Sequence, residues 1–499
     1  MTKQTKKILP SFAQFGDHRI HFMPKRISDI SMATYFIALI ACTLAYSSYI
    51  LNWKWWIFGI ISVVGFFHFA NRQTKLWINT RPMAFTKKLF WTALALRVVW
   101  VLVSYFLYNQ WTGTAFSIDA GDELFYDEIG HYGASLMRDG NFAIYNPMVK
   151  YAGDIAFSDM GYPIYLSILY YIFFDSILMV RVVKAILGAW TAVLVYKVAS
   201  RNFGESTGRM AGIFCMLMPN LIYYCSFQLK EVEMVFLAML FVERADWLLR
   251  QPKLKAMQTV AVMLIPLALF MIRTALAATL IAAFFCALLL TTGRVSGFGK
   301  RAVLIVVAGI FAVTMFVTST SIGTEVRQMW ETGGSQQKAT NEWRATRVDK
   351  GGFSNQLIKY ASASVFAPMI FTLPFPTLAE TPGQENQKMI HGGNFVKNIV
   401  SYFTIMALLV LLVTGNWRKH VLPLAVLCGY LLVLVFSNFA HSERFHLPIL
   451  PLTMMFAALG VSLIKQNPWV KNYFNYWCLL IFIAAIAWNW FKLAGRGMI

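Results

Sequence analysis

Long runs of apolar residues alternate with short polar segments along most of the chain. Each run spans roughly 16 to 20 residues, close to the length that an α-helix needs to cross a hydrocarbon layer. The pattern predicts an all-α polytopic membrane protein, with residues 1–499 as a single integral membrane domain of about 13 transmembrane helices. The predicted spans are residues 31–51, 55–70, 89–108, 178–199, 209–226, 230–248, 257–272, 274–291, 302–319, 396–414, 421–437, 446–464 and 475–492.

Residues 161–177 are apolar enough to cross the membrane, but we predict that they form a helix along its outer surface. If this segment does not cross, the short loops richest in Lys and Arg share one side with the basic N-terminal region. The positive-inside rule assigns that side to the cytoplasm. The N-terminus is then cytoplasmic and the C-terminus outside, with two large extracytoplasmic loops, residues 109–177 and 320–395.

Composition and charge narrow the class of protein further. Hydrophobic residues make up 58% of the chain and charged residues 13%, too few for the surface of a soluble protein of 499 residues. The net charge of +21 lies mostly in the predicted cytoplasmic loops, so it indicates contact with membrane lipids and not with nucleic acid. All six cysteines lie in apolar runs, which predicts no disulfides. The basic N-terminus lacks the features of a cleavable signal peptide, so the first span is expected to direct insertion.

An acidic segment follows the third predicted span. It holds six carboxylates and one basic residue, Arg138, and the acids are Asp119, Asp122, Glu123, Asp127, Glu128 and Asp139. Its apolar positions predict a helix on the membrane surface that begins near Gly121. Each acid alone is ordinary at a helix N-terminus. Their clustering beside an apolar second helix favours a general base for a hydroxyl group.

Four motifs in order resemble the GT-C glycosyltransferase superfamily. They are Asp122-Glu123-Leu124-Phe125-Tyr126, Gly161-Tyr162-Pro163, the run from Arg181 to Gly204, and the segment from Glu443 to Pro451. The resemblance covers residues 115–465 and includes protein O-mannosyltransferases and lipid A aminoarabinose transferases. It implies a glycosyltransferase of the bacterial inner membrane whose active site is extracytoplasmic. Its partners would be a polyprenyl-phosphate sugar and an extracytoplasmic glycan, lipid or protein acceptor.

The resemblance also implies the catalytic residues and an inverting displacement that needs no metal or other cofactor. Asp122, Asp127 and Glu123 are the candidate bases. Tyr126 lies farther from Gly140 than is typical of the family, which keeps Asp127 open as the aligned acid. Glu231 or Lys230 would occupy the place of an acid in the second external turn.

Cations at the predicted outer ends of spans are candidates for binding the donor phosphate. They are Lys230, Arg273, Arg444 and Arg181, with Lys184 and His446 as further candidates. Each alone is typical of an interfacial anchor, and together they would bind phosphate oxygens. His441 and His446 flank Glu443, but their spacing does not favour a metal site.

Residues 320–395 are predicted to lie on the acceptor side, because long loops are often functional and this one carries aromatic residues and arginines. An O-antigen polymerase or ligase is an alternative function, since it shares the membrane location and a large late loop. A secondary transporter is a third hypothesis. It is less favoured, because transporters place polar groups near the bilayer centre in repeated halves. The sugar and the acceptor stay open.

Overall fold

The computed structural model describes residues 20–153, 157–251, 256–290, 309, 369–436, 442–465 and 468–499. These residues are helical and contain no β-strand. The helices of the N-terminal half are α1 (Lys25–Ala45), α2 (Trp53–Leu76), α3 (Pro82–Thr112), α4 (Gly121–Arg138), α5 (Tyr145–Tyr151), α6 (Phe157–Phe173), α7 (Ile177–Phe203), α8 (Glu205–Leu217) and α9 (Pro219–Tyr223). The later helices are α10 (Glu231–Arg250), α11 (Ala256–Phe270), α12 (Thr274–Leu290), α13 (Glu385–Met389), α14 (His391–Val413), α15 (Val421–Phe436), α16 (Glu443–His446), α17 (Leu450–Ser462) and α18 (Pro468–Ala494).

The protein is a multi-pass membrane protein. Among the described residues, 7 helical segments are long and apolar enough to cross a membrane: α1, α2, α3, α7, α14, the stretch Glu443–Ser462 and Asn472–Ala494. Three shorter apolar helices, α11, α12 and α15, match three further predicted spans. The predicted total of 13 spans is not confirmed. The span predicted at 302–319 and residues 320–368 of the second loop lie outside the described residues, apart from residue 309.

One predicted span differs from the helices observed. The span expected at 209–226 is interrupted: α8 ends at Leu217, and Met218 has an extended backbone before Pro219 starts the short α9. Proline lacks the amide hydrogen that a continuous helix needs, which explains the break. The span expected at 230–248 forms α10, which carries Glu233, Glu243 and Asp246 on buried positions.

Polar contacts gather the helix ends into two groups at opposite ends of the bundle. At one end, Arg201 near the end of α7 lies 2.9 Å from Glu243 of α10, and Arg209 of α8 donates to the carbonyl of Trp77 after α2 at 3.1 Å. At the other end, ion pairs made by Arg444 join the start of α16 to the starts of α4 and α10. This arrangement is the one expected when successive helices run in alternating directions.

Helices α4 and α6 form a closely packed pair within the predicted first loop. A Cβ atom on Gly133 of α4 would lie 2.1 Å from the hydroxyl of Ser167 on α6. The start of α6 is held to the bundle, because the amide of Gly161 donates to the carbonyl of Met271 at 2.8 Å. Both predicted surface helices are therefore present as helices, and their position along a membrane surface stays a prediction.

A buried ion pair lies inside the bundle between α7 and α10. Lys184 of α7 is completely buried and lies 2.9 Å from Glu233 of α10, while the hydroxyl of Tyr162 accepts a further bond from its ammonium group at 3.1 Å. A buried charge without such a partner would be strongly destabilising. The pair therefore joins α6, α7 and α10 beneath the end of the bundle that carries the acidic helix.

Close packing of α14 against α17 generates a testable prediction. A Cβ atom on Gly460 would lie 2.0 Å from the backbone carbonyl oxygen of Phe403. We expect Gly460→Ala to destabilise the fold by about 1–3 kcal/mol, because backbone cannot give way as a flexible side chain can. The measurement is the midpoint of thermal unfolding of the purified protein in detergent.

Gly65→Ala is the matched control, because a Cβ there would meet nothing within 4 Å. Alanine favours a helix more than glycine does, so this variant should unfold at the same or a slightly higher temperature. Equal midpoints for both variants would show that the α14–α17 contact is not tight.

Candidate active site

The acidic helix α4 presents Asp122 toward a late segment of the chain. Asp122 lies in the first turn of α4, and its side chain is 62% exposed. Its carboxylate forms an ion pair with the guanidinium of Arg444, at the start of the stretch Glu443–Ser462. Two motifs that are 322 residues apart in the sequence thus meet at one end of the bundle.

Arg444 bridges two carboxylates. Its Nη1 contacts Asp122, and its Nε contacts Glu231, a buried residue in the first turn of α10. The second oxygen of Glu231, Oε2, is buried and has no hydrogen-bond partner among the described residues. The planar guanidinium suits this role, because its N–H donors point in fixed directions toward separate acceptors.

Lys230 and Asp159 form a second ion pair beside this bridge. Lys230 is almost fully buried and directly precedes α10, whereas Asp159 lies in the first turn of α6 and is 42% exposed. The ammonium of Lys230 also lies 5.7 Å from the centre of the Tyr126 ring. The start of α6 is therefore tied to the start of α10 by charge.

Tyr126 occupies the space between the two ion pairs. It follows Asp122 by four residues, so both side chains share one face of α4. The Tyr126 ring packs edge-on against Tyr162 with 5.3 Å between centroids. Burial raises the pKa of Tyr126, and the neighbouring carboxylate of Asp159 raises it further. The phenol therefore stays protonated and can donate a hydrogen bond to an anion at this site.

Arg273 supplies a further cation close by. It lies between α11 and α12, and its guanidinium is 4.6 Å from the centre of the Phe445 ring. Phe445 is the neighbour of Arg444 in the sequence, and Arg273 and Lys230 are close enough to repel each other electrostatically. The structure thus brings Lys230, Arg273 and Arg444 to one place.

Glu123 points away from this group and into the protein. It accepts a hydrogen bond from the amide of Gln228 at 2.7 Å and another from the hydroxyl of Ser117. Burial raises the pKa of Glu123, an effect that Arg181 at 3.9 Å opposes. Glu123 therefore anchors the start of α4 to the segment before α10.

Arg181 is completely buried behind Glu123. None of its guanidinium nitrogens has a hydrogen-bond partner among the described residues, and its nearest charge is Glu123. The guanidinium also lies 6.0 Å from the Phe116 ring. Arg181 thus lies deeper in the protein than Arg444, whose side chain is partly exposed.

Asp127, the second candidate base, lies on another side of α4. Five residues correspond to a rotation of roughly 140° from Asp122 on a helix. Its carboxylate accepts a hydrogen bond from the hydroxyl of Tyr170 and lies 3.4 Å from His131. The structure does not bring Asp127 to the three cations.

Of the two candidate histidines, His446 lies among the described residues. His446 is buried at the end of α16, and His441 lies outside the described residues. Among the residues that the structure describes, no group of three or more His, Cys, Asp or Glu side chains is placed to hold a metal ion.

Comparison with known proteins adds to this geometry. The profile of the Alg9-like mannosyltransferase family, a GT-C family, matches residues 360–495. The resemblance to the GT-C superfamily is confirmed. The protein is a membrane glycosyltransferase, as the sequence predicted. The matched segment includes Arg444 and His446 but not the acidic helix. No curated protein and no solved structure matches the chain.

Sequence reasoning missed one residue of this candidate site, Asp159. Its position two residues before the Gly161-Tyr162-Pro163 motif could have indicated a role. Its partner Lys230, however, is 71 residues away in the sequence. Lys184 was expected to contact phosphate, but it lies buried against Glu233 instead.

The six charged groups of the site are balanced. Asp122, Glu231 and Asp159 are acidic, and Arg444, Lys230 and Arg273 are basic. Arg444 and Lys230 are both paired with carboxylates. An anionic ligand at these cations would compete with the carboxylates that Arg444 and Lys230 already contact.

A separate network on α4 predicts a pH effect on stability. His131 lies between Asp127 and Asp175, whose Oδ1 is 3.0 Å from its Nδ1, and Asp175 also pairs with Arg138 at 2.7 Å. The hydrogen bond to Asp127, followed by the other acidic contacts, raises the pKa of His131 above its usual 6.5. Because the pKa of His131 is higher in the folded protein, the protonated imidazole stabilises the fold, and this stabilisation is fully present below pH 6.5. It is lost as the pH rises through the raised pKa.

We therefore expect His131→Gln to lower the thermal midpoint more at about pH 5.5 than at about pH 8.5. The measurement compares the two proteins at both pH values in the same detergent. An equal difference at both values would show that the charge of His131 does not stabilise the α4–α6 pair.

Proposed function

We propose that the protein transfers one sugar from a polyprenyl-phosphate donor to a hydroxyl group of an extracytoplasmic acceptor, with inversion at the sugar carbon. The observation that carries this proposal is the bridge of Arg444 between Asp122 and Glu231, beside Lys230 and Arg273. The bridge joins a candidate base to candidate phosphate-binding cations. Mannose is the first sugar to test, because the matching family is one of mannosyltransferases.

The cations suit the phosphate of the donor. A sugar linked to polyprenyl phosphate carries one negative charge on a phosphodiester. Arginine can bind two phosphate oxygens at once, and Lys230 adds a point charge. Because three carboxylates lie beside the three cations, the phosphodiester competes with these carboxylates for the cations. Binding of the donor would thus release Asp122 from Arg444.

Asp122 is then free to act as the base. It takes the proton from the acceptor hydroxyl, and the oxygen attacks the first carbon of the sugar. The bond between that carbon and the phosphate oxygen breaks, and the electron pair leaves with polyprenyl phosphate. Arg444, Lys230 and Arg273 stabilise the charge that develops on the leaving group. Phosphate is already a good leaving group, so the proposed displacement requires neither a metal ion nor a general acid.

The other acids of α4 fit this role less well. Glu123 is buried and already accepts hydrogen bonds from Ser117 and Gln228. Asp127 is engaged by Tyr170 and faces His131. Asp122 is the most exposed of the three and directly contacts the cation cluster.

The proposed membrane orientation follows from charge. The end of the bundle that carries Arg201, Arg209 and Arg250 would face the cytoplasm under the positive-inside rule. The end with Asp122 and Arg444 would then face outward. The acceptor would be a glycan, a lipid or a protein on that side, and the membrane would be the bacterial inner membrane.

The test of the base is Asp122→Asn in purified protein reconstituted in lipid nanodiscs. The donor is polyprenyl-phosphate mannose with a labelled sugar, and the acceptor is an extract of the host cell envelope. We expect kcat to fall about 10²–10⁴-fold, because the base is lost while the shape of the side chain is kept. The anomeric configuration of the product, determined by NMR, tests inversion.

Asp127→Asn is the matched control on the same helix, and its kcat should stay within about tenfold of the unaltered protein. Full activity of D122N, or equal losses in the two variants, would contradict the assignment of Asp122 as the base.

A further inference from the structure

A large cavity lies at the end of the bundle opposite to the candidate active site. It has a volume of about 920 Å³ and lies between the start of α1, the end of α17 and the start of α18. This volume is toward the upper end of the range of about 300–1,000 Å³ that is typical of small-molecule sites. No residue of the proposed transfer reaction lines it.

Hydrogen bonds fix the segment that forms one wall of the cavity. Before α1 begins, the amide of Ile20 donates to the carbonyl of Ser462, the last residue of α17, at 3.0 Å. The amide of Met23 donates to the hydroxyl of Thr74 in the last turn of α2, also at 3.0 Å. Thr74 lies close in the chain to Trp77, whose carbonyl accepts from Arg209. The cavity therefore belongs to the end of the bundle that carries Arg209.

The rim of the cavity is positively charged. Arg26 in the first turn of α1 and Lys465 just after α17 both line the cavity and are exposed. Neither forms an ion pair or a hydrogen bond with a described residue. The exposed side chains of Asn472 and Asn475 add amide N–H donors. No acidic residue is among the described residues that line the cavity, and Asp29, the acid of α1, is not part of the lining.

The remainder of the lining is mostly apolar. Ile27 and Ile30 of α1 face the cavity together with Phe474 of α18. On the same two helices, Ile37 is 57% exposed and Leu479 is 54% exposed. Exposed apolar side chains of membrane-spanning helices contact the acyl chains of lipids, which are as apolar as leucine. A cavity with a cationic rim and an apolar wall thus lies beside two helices that meet the lipid.

We propose that this cavity binds an anionic phospholipid, with its phosphate at Arg26 and Lys465 and an acyl chain against Ile27, Ile30 and Phe474. Arginine binds two phosphate oxygens through parallel N–H donors, and lysine adds a point charge. Under the positive-inside rule this end faces the cytoplasm, where basic pockets between spans bind anionic headgroups. The ammonium group of a zwitterionic lipid would be repelled by the two cations. The inference does not depend on the sugar-transfer reaction.

The test is the double variant Arg26→Gln and Lys465→Gln in the purified full-length protein. Native mass spectrometry counts the lipids bound on titration with phosphatidylglycerol, or with phosphatidylethanolamine that carries the same acyl chains. We expect the unaltered protein to prefer phosphatidylglycerol. The double variant should bind this lipid about tenfold more weakly, because each cation near the phosphate contributes to its attraction. Its binding of phosphatidylethanolamine should not fall.

Lys87→Gln with Lys88→Gln is the matched control. These two lysines are exposed on α3 near the same end of the bundle, but they do not line the cavity. Their removal takes away the same charge and should leave the affinity for phosphatidylglycerol unchanged. Ile30→Trp keeps both cations and fills the apolar part of the cavity, so it should also weaken binding.

Thermal unfolding separates lipid binding from a change in the fold. Without added lipid, R26Q/K465Q should unfold at the same temperature as the unaltered protein, because both side chains are exposed and have no described partner. Phosphatidylglycerol should raise the midpoint of the unaltered protein, since it binds the folded state. It should not raise the midpoint of R26Q/K465Q to the same extent.

Four results would overturn the proposal. They are equal affinity of the unaltered protein for the two lipids, unchanged binding by R26Q/K465Q, an equal loss in the lysine control, and full displacement of the lipid by inorganic phosphate. The last result would assign the site to a free anion. A dimer that R26Q/K465Q separates would likewise contradict the proposal, because this face would then be an interface between two copies of the chain.

Discussion

The contact of one guanidinium with two carboxylates determines how the rest of this site is arranged. Arg444 holds Asp122 and Glu231 close together, although carboxylates repel each other where water is scarce. The contact fixes the start of α4 against the start of α10. The segment before α10 then supplies Lys230 to Asp159 and the amide of Gln228 to Glu123. The position of α4 and α6 in the bundle thus depends on charge as well as on apolar packing.

The buried ion pair of Lys184 and Glu233 supports the candidate site from beneath but does not form part of it. Lys184 and Glu233 are both buried, and the carbonyl of Leu229 also accepts a hydrogen bond from Lys184. Removing either partner would leave a buried charge uncompensated. Because Leu229 immediately precedes Lys230, the pair also fixes the backbone that presents Lys230 to the site. The exposed groups can therefore rearrange around a ligand while the backbone beneath them stays in place.

Much of the helical framework could be predicted from the sequence, because apolar runs of membrane length carry a strong signal. The predicted span at 178–199 lies within Ile177–Phe203, and that at 396–414 closely matches His391–Val413. The interruption at Pro219 was missed, because the run around it is mostly apolar and hydropathy does not register a missing backbone donor. Helix α10 shows the opposite effect: its acids lower its hydropathy, yet Arg201 and Arg250 pair with them.

The candidate site was only partly predictable for a different reason. The resemblance and the helical period are local, and they place Asp122 and Tyr126 on one face of α4. The ion-pair partners of Lys230 and Lys184, which are Asp159 and Glu233, are determined by tertiary packing. They cannot be inferred from the spacing of residues in the sequence. Whether a cation at the end of a helix faces a ligand or a buried acid therefore cannot be decided from its position in the sequence.

The cluster of three cations has a consequence for the later half of the reaction cycle. On the proposed mechanism, the donor arrives with one negative charge, whereas the polyprenyl phosphate that remains is a monoester with a charge of about −1.5 to −2. Lys230, Arg273 and Arg444 would hold this product more tightly than the substrate it came from. Departure of the spent lipid carrier would then limit turnover, and free polyprenyl phosphate would inhibit the enzyme in competition with the donor.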